Sequence, residues 1–435
     1  MGYIDCIEMR SRENEAWEKE LHFSSLDDED LPTEKTQYFG ILCGINKGTI
    51  ENVKFKERTY YPEFFLYPNE NDKIFIGLVC GLNDGTISGI TMLSPYWGYH
   101  TLDKDTRADL GTVCGYQTKN GVLENVDLEE AGTEIEYWGE NILNIAPVVY
   151  AGVLIGEAEG GTTIRDIRRM VNCRVNADHS LADADIRAGG IVGYVSGDIE
   201  LSGFEIDEIS VKIDARDDQE GHTLTAHTPL AAGGLIGWAD GNVTLSDIDL
   251  ADVSVHIVRR PGGDPDLSYA GGFIGYCGGD LTAGSLSMVG NYEEQYSHRE
   301  SIVETELEQG TACAGGLCGY CAGAAVVSDS HIRVIMNPLF CGDKLYEANV
   351  LGYVCKDAAF TGVEADCGID EYSGESRGHS IVTQHSSVFY LAALAGGAEG
   401  EVIVEGCTID VNFSIMGSPA GLYGGGEEGF YNKTE

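Results

Sequence analysis

The sequence predicts an all-β chain, a right-handed parallel β-helix (β-solenoid) of about ten coils with two or three strands per coil. Three observations predict it. A glycine-anchored unit recurs along the 435 residues, its anchors Gly44, Gly81, Gly115, Gly156, Gly193, Gly237, Gly275, Gly319, Gly352 and Gly396 spaced 33 to 44 residues apart. Each unit reads as a short apolar strand, a turn signal such as "NKG", "NDG" or "ADG", and a run of alternating apolar and polar residues. Helical periodicity is nearly absent, "ENEAWEKEL" at 13–21 being the one short candidate.

Ten units exceed the 4–8 blades of a usual propeller, and each offers fewer than the four strands a blade needs. A solenoid accepts any number of coils and tolerates insertions at its corners, which suits the variable spacing. At the inter-strand distance of about 4.8 Å per coil the rod would be roughly 50 Å long. The organisation follows. Residues 1–38 form a partial coil with the short helix, 39–410 the ten-coil solenoid, and 411–435 the start of an incomplete coil with a glycine-rich tail. "GYIDCIEM" at 2–9 resembles the second half of a unit, and "AGLYGGG" at 420–426 opens an eleventh. Open end coils expose pairing edges, so the chain is expected to be part of a longer chain or to associate head to tail with itself.

Composition narrows function. A formal net charge of −44 repels phosphate, so nucleic acid and anionic membrane are excluded as direct partners, and no stretch is long and apolar enough for membrane insertion. The N-terminus lacks the apolar core of a signal peptide, which leaves a cytoplasmic location as the alternative to an extracellular one. Thirteen cysteines form an odd set, and the single CxxC, Cys318–Cys321, would point its thiols to opposite faces of a strand, a poor zinc chelate.

In a solenoid, equivalent positions stack into columns along the rod. The column two residues before each anchor is apolar in every unit, from Leu42 and Val79 through Leu235 and Phe273 to Leu394. It reads as core. The next column interchanges cysteine with aliphatics, as Cys43, Cys80, Cys114, Ile236 and Cys318, and buried free thiols are expected there. The column after the anchor carries Tyr194, Trp238, Tyr276, Tyr320 and Tyr353 on five consecutive coils. Strand parity predicts that this stripe shares a face with the cysteine column and opposes the core column. It is the candidate binding site, for a glycan chain or a partner protein, with burial under corner loops as the structural alternative.

The cores "GGIVGY", "GGLIGW", "GGFIGY" and "GGLCGY", each followed by a turn and a strand, resemble the GLUG-motif repeats of bacterial cell-surface proteins. That resemblance implies adhesin-like β-helical stalks outside the cell. It is clearest over 188–325.

Other chemistry is sparse. Acidic clusters at 26–31, 181–187, 214–220 and 262–267 supply the oxygen ligands calcium takes, the one cofactor to consider, against a solvated acidic surface as the default. Asp166, Asp247 and Asp329 each lie ten residues after an anchor, but on alternate coils, too far apart to share an ion. No nucleophile elbow, phosphate loop or HExxH occurs. The expectation is a non-enzymatic structural or adhesive segment of a bacterial surface or secreted protein. A glycan-binding or polysaccharide-processing β-helix and an intracellular or injected interaction scaffold are the alternatives.

Overall fold

A parallel strand pairs its backbone with the strand above and the strand below, so a repeat of similar units can stack without limit. The computed structural model shows the chain doing this. It describes residues 36–55, 72–93, 106–138, 147–177, 184–216, 229–260, 267–289, 301–307, 310–336, 342–367 and 387–411. It also describes the strands Ile7–Met9, Leu21–Ser24, Glu63–Tyr67, Tyr96–Leu102, Leu339–Phe340, His379–Thr383, Phe413–Met416 and Gly421–Gly425. Among these residues every strand pairing is parallel and no helix occurs. Most of the helix expected at 13–21 lies outside the described residues, and Leu21 opens a strand.

Each coil contributes to three faces. Sheet B has eleven strands, from Thr36–Gly40 through Leu230–Gly233 to Gly421–Gly425, and sheet C has ten, from Cys43–Asn46 through Ile236–Ala239 to Ala395–Ala398. Sheet A holds the longer strands, such as Val243–Arg260. The expected end features appear. Ile7–Met9 pairs with Val53–Phe55 on sheet A, and Gly421–Gly425 adds the eleventh rung to sheet B.

One expectation needs correction. "GGLIGW" is not a single strand: sheet B ends at Gly233, the chain bends at Gly234–Leu235, and sheet C begins at Ile236. The bend cancels strand alternation, so Leu235 and Ile236 are both fully buried rather than on opposite faces. The glycines permit the bend. A Cβ on Gly234 would sit 2.0 Å from the carbonyl oxygen of Gly272 on the next coil, and one on Gly237 2.5 Å from that of Gly193. Both obstacles are backbone, which cannot move aside.

A second correction concerns the run after the turn. Its apolar residues do not alternate strictly: Val243, Leu245, Ile248, Leu250, Val253, Val255 and Ile257 are all buried, with two intervals of three residues. The extra residues include Asp247 and Asp252, both in the left-handed region (φ 53°), and each resets parity so that the next segment again faces inward. The first of these positions forms a column on all ten coils: Asn52, Gly89, Asn125, Asp166, Gly203, Asp247, Ser285, Asp329, Gly362 and Gly406. Nine of the ten are Gly, Asn or Asp, the residues that tolerate this conformation. The three aspartates set aside above as calcium ligands are therefore corner residues.

One row of polar groups inside the rod is paired coil to coil. Asn46 Nδ2 donates to Asn83 Oδ1 at 2.8 Å, Asn83 Nδ2 to Gln117 Oε1 at 3.0 Å, and Gln117 Nε2 to Thr162 Oγ1 at 2.8 Å. Stacking lets each amide satisfy the next.

The corner column yields a direct test. Gly203 has φ +71° and open space where a Cβ would go. Gly203→Asn should leave the urea unfolding midpoint nearly unchanged, whereas Gly203→Val should lower stability by about 1–2 kcal/mol. Equal effects would show that the position does not need the left-handed conformation.

Candidate functional site: the aromatic stripe

The residue after each anchor lies on sheet C, and parallel register sets Tyr194, Trp238, Tyr276, Tyr320 and Tyr353 opposite one another in a single column. All five are half-buried. Trp238 stacks on Tyr276 with ring centroids 3.6 Å apart, Tyr276 on Tyr320 at 5.4 Å, and Tyr320 on Tyr353 at 5.5 Å, with interplanar angles of 6–17°. Between Tyr194 and Trp238 the Arg187 guanidinium is inserted, 4.7 Å from one ring centroid and 4.3 Å from the other. Asp185 holds it there through two hydrogen bonds, at 3.1 and 2.9 Å.

One flank of the stripe packs on a second aromatic column from sheet B. Tyr150 meets Tyr194 at 4.5 Å, Tyr269 meets Tyr320 at 4.9 Å, and Tyr346 meets Tyr353 at 4.7 Å. Among the described residues, what covers the stripe is this sheet B column. Three of the stripe's four tyrosine hydroxyls are also engaged. Tyr194 donates to Asp240, which also accepts from Trp238 Nε1 at 2.8 Å. Tyr353 donates to Glu399 at 3.0 Å, and the Tyr320 hydroxyl meets the Cys355 thiol at 2.8 Å. Burial, and then the acidic acceptor, push the Tyr194 and Tyr353 phenols well above their ordinary range.

The chemistry follows from this geometry. A sugar ring docks on the open face of an aromatic, but here the faces of Tyr276 and Tyr320 are turned to their neighbours above and below. What the stripe presents outward is ring edges. Sequence reasoning missed the sheet B column because its residues vary (Phe75, Asp109, Tyr150, Arg187, Ala231, Tyr269, Cys313, Tyr346), though the recurring tyrosines six residues before an anchor were a signal.

Of the acidic clusters the structure describes only Asp185 and Asp214, and both are paired. Residues 26–31 and 261–266 lie outside the described residues. In the other two clusters, Asp185 pairs with Arg187, and buried Asp214 lies 3.1 Å from Lys212 Nζ. The eleven described cysteines are free, with Cys43, Cys80 and Cys114 in register on sheet C.

Fully buried ionisable groups include Asp109, in the sheet B column beside the stripe, and the pair Glu347 and His379. Asp109 accepts two hydrogen bonds from Arg107, at 3.1 and 3.0 Å, yet burial outweighs that cation and raises its carboxyl to about 7. Glu347 breaks an otherwise apolar column (Ala232, Ala270, Ala314, Leu391), and its Oε1 lies 3.2 Å from His379 Nδ1. His379 Nε2 meets Asn349 Oδ1 at 2.9 Å. Burial alone would lower the imidazole, but hydrogen bonding to Cys367 and Glu347 and the Glu347 charge prevail, raising it to about 9.

No protein family, curated protein or solved structure matches the chain.

Both shifts carry the same sign for stability. A group whose proton is held more tightly in the folded state stabilises below its unfolded pKa and loses that contribution as pH rises through the folded one. Asp109 loses it between about 4 and about 7, and His379 between about 6.5 and about 9. The melting temperature should therefore fall from pH 5 to pH 9, and His379→Gln should flatten the arm above pH 7. A melting temperature that rises with pH would contradict this.

Tyr276 sits between two rings, so Tyr276→Leu should cost about 1–3 kcal/mol beyond the area lost, at about 0.5–1.5 per aromatic pair. Thermal melts of this variant against Tyr116→Leu, outside the continuous stack, provide the measurement.

Proposed function

We propose that this chain is a non-enzymatic structural and adhesive repeat segment of a bacterial surface or secreted protein, a rod that holds its coil-to-coil loops in fixed register for a partner. One observation carries the reading: sheets B and C run unbroken from coil to coil through the described residues, one strand per coil. Such a body is rigid along its axis, and its variable insertions leave it at intervals of one coil. The GLUG-like cores lie where the glycine corner and the aromatic stripe are built, which fits a stalk-forming repeat. The acidic composition keeps such a rod soluble and favours cationic or protein partners over phosphate-bearing ones.

A second reading has an observation of its own. Free buried thiols in register suit a reducing compartment, and thus an intracellular or injected scaffold. The two readings part cleanly. Antibody against the rod should label intact cells of the producing organism, and labelling that appears only after permeabilisation would remove the surface reading in favour of the intracellular one. For the glycan alternative, the covered ring faces predict no binding on a glycan array by wild type or by the Trp238→Ala, Tyr276→Ala double variant. Binding by wild type that the double variant loses would restore the stripe as a sugar site.

A further inference from the structure

We propose that His331, Glu364 and Asp366 form a binding site for a first-row divalent transition cation, of the zinc class, which clips two adjacent coils together on the outside of sheet A. The strand His331–Arg333 pairs in parallel with Glu364–Asp366, setting His331 opposite Glu364 and Arg333 opposite Asp366. Positions two apart on a strand share a face, so the four side chains meet over one patch. One donor atom from each of His331, Glu364 and Asp366 lies within 4.8 Å of the other two, and no other group of three His, Cys, Asp or Glu does so among the described residues. The patch thus brings two carboxylates to one imidazole.

The carboxylates face different nitrogens of one imidazole, so a cation held by one ring nitrogen draws the other carboxylate toward it across the short span of the patch. His331 Nε2 is 2.6 Å from Asp366 Oδ2, and Nδ1 is 3.8 Å from Glu364 Oε2. Arg333 Nε donates to Asp366 Oδ1 at 2.6 Å, with Nη2 3.5 Å from Oδ2. The guanidinium thus fixes the carboxylate from its far oxygen and leaves Oδ2 turned to the imidazole, the role an outer partner plays at metal centres. The next rung sets Thr408 opposite Glu364 and Asp410 opposite Asp366, bringing further oxygen to the same patch. One imidazole with two carboxylates selects zinc or its first-row neighbours over calcium, which takes oxygen alone. Three protein donors leave a position for water or for a side chain brought by a partner.

The test must separate this site from diffuse binding to an acidic surface and from the cysteines. Chelator-stripped protein is titrated with Zn²⁺ in about 150 mM salt and millimolar Ca²⁺, the calcium occupying carboxylates that have no nitrogen partner. Wild type should retain one equivalent that resists calcium. His331→Ala and Glu364→Gln, both at half-exposed to exposed positions, should each weaken it more than about tenfold, the loss known for even an outer-shell partner. Circular dichroism confirms that the variants fold. Co²⁺ in place of Zn²⁺ should give visible bands without thiolate charge transfer. A calcium-resistant equivalent unchanged in both variants, none in wild type, or a thiolate band would each overturn the proposal. None of these outcomes bears on where the rod is displayed, so this site stands or falls apart from the surface reading.

Discussion

In-register stacking is the constraint from which the rest of this structure follows. When each residue lies about one strand spacing from its equivalents above and below, a position is a column, and a residue must suit its own copies. Asparagine and glutamine do so by donating along the rod, as Asn46, Asn83 and Gln117 show. Aromatic rings do so by stacking. Carboxylates cannot: like charges at this distance repel, and an extreme acidic composition makes the problem general.

The chain answers that problem rung by rung. On sheet A, Arg165 pairs with Glu124, and Arg169 with Asp127 and Glu129, all from the coil before. At the turn after sheet C the carboxylates serve as acceptors instead: Asp198 takes the Asn242 N–H, Asp280 that of Ala324, and Asp357 that of Glu401. In the His331, Glu364 and Asp366 patch, Arg333 binds Asp366 closely and Glu364 lies by the other imidazole nitrogen.

Much of the fold is legible in the sequence because a column shows itself whenever its chemistry is uniform. The Leu235 column and the turn signals are enough to give the repeat and its parallel stacking. Two features escape that reading for a physical reason. Strand alternation presumes a straight strand, and the bend at Gly234–Leu235 and the left-handed residues Asp247 and Asp252 each break it. The intervals of three in "VTLSDIDLADVSV" record the breaks, but only once corner residues are sought there. The five stripe residues were correctly grouped by the repeat. Their surroundings were not, because Arg187, Tyr150 and Tyr269 come from a column whose residue types vary. Glu347 is a visible exception in an apolar column, yet its partner His379 opens the strand His379–Thr383 of a separate three-stranded sheet, which the repeat does not record.

The same stacking limits what the stripe can be. A ladder of rings gains rigidity by turning its faces inward on itself, and each face spent that way is lost to a ligand. Trp238 and Tyr276, at 3.6 Å, are already in the contact a sugar would need. What the stacked rings leave to a ligand is their edges.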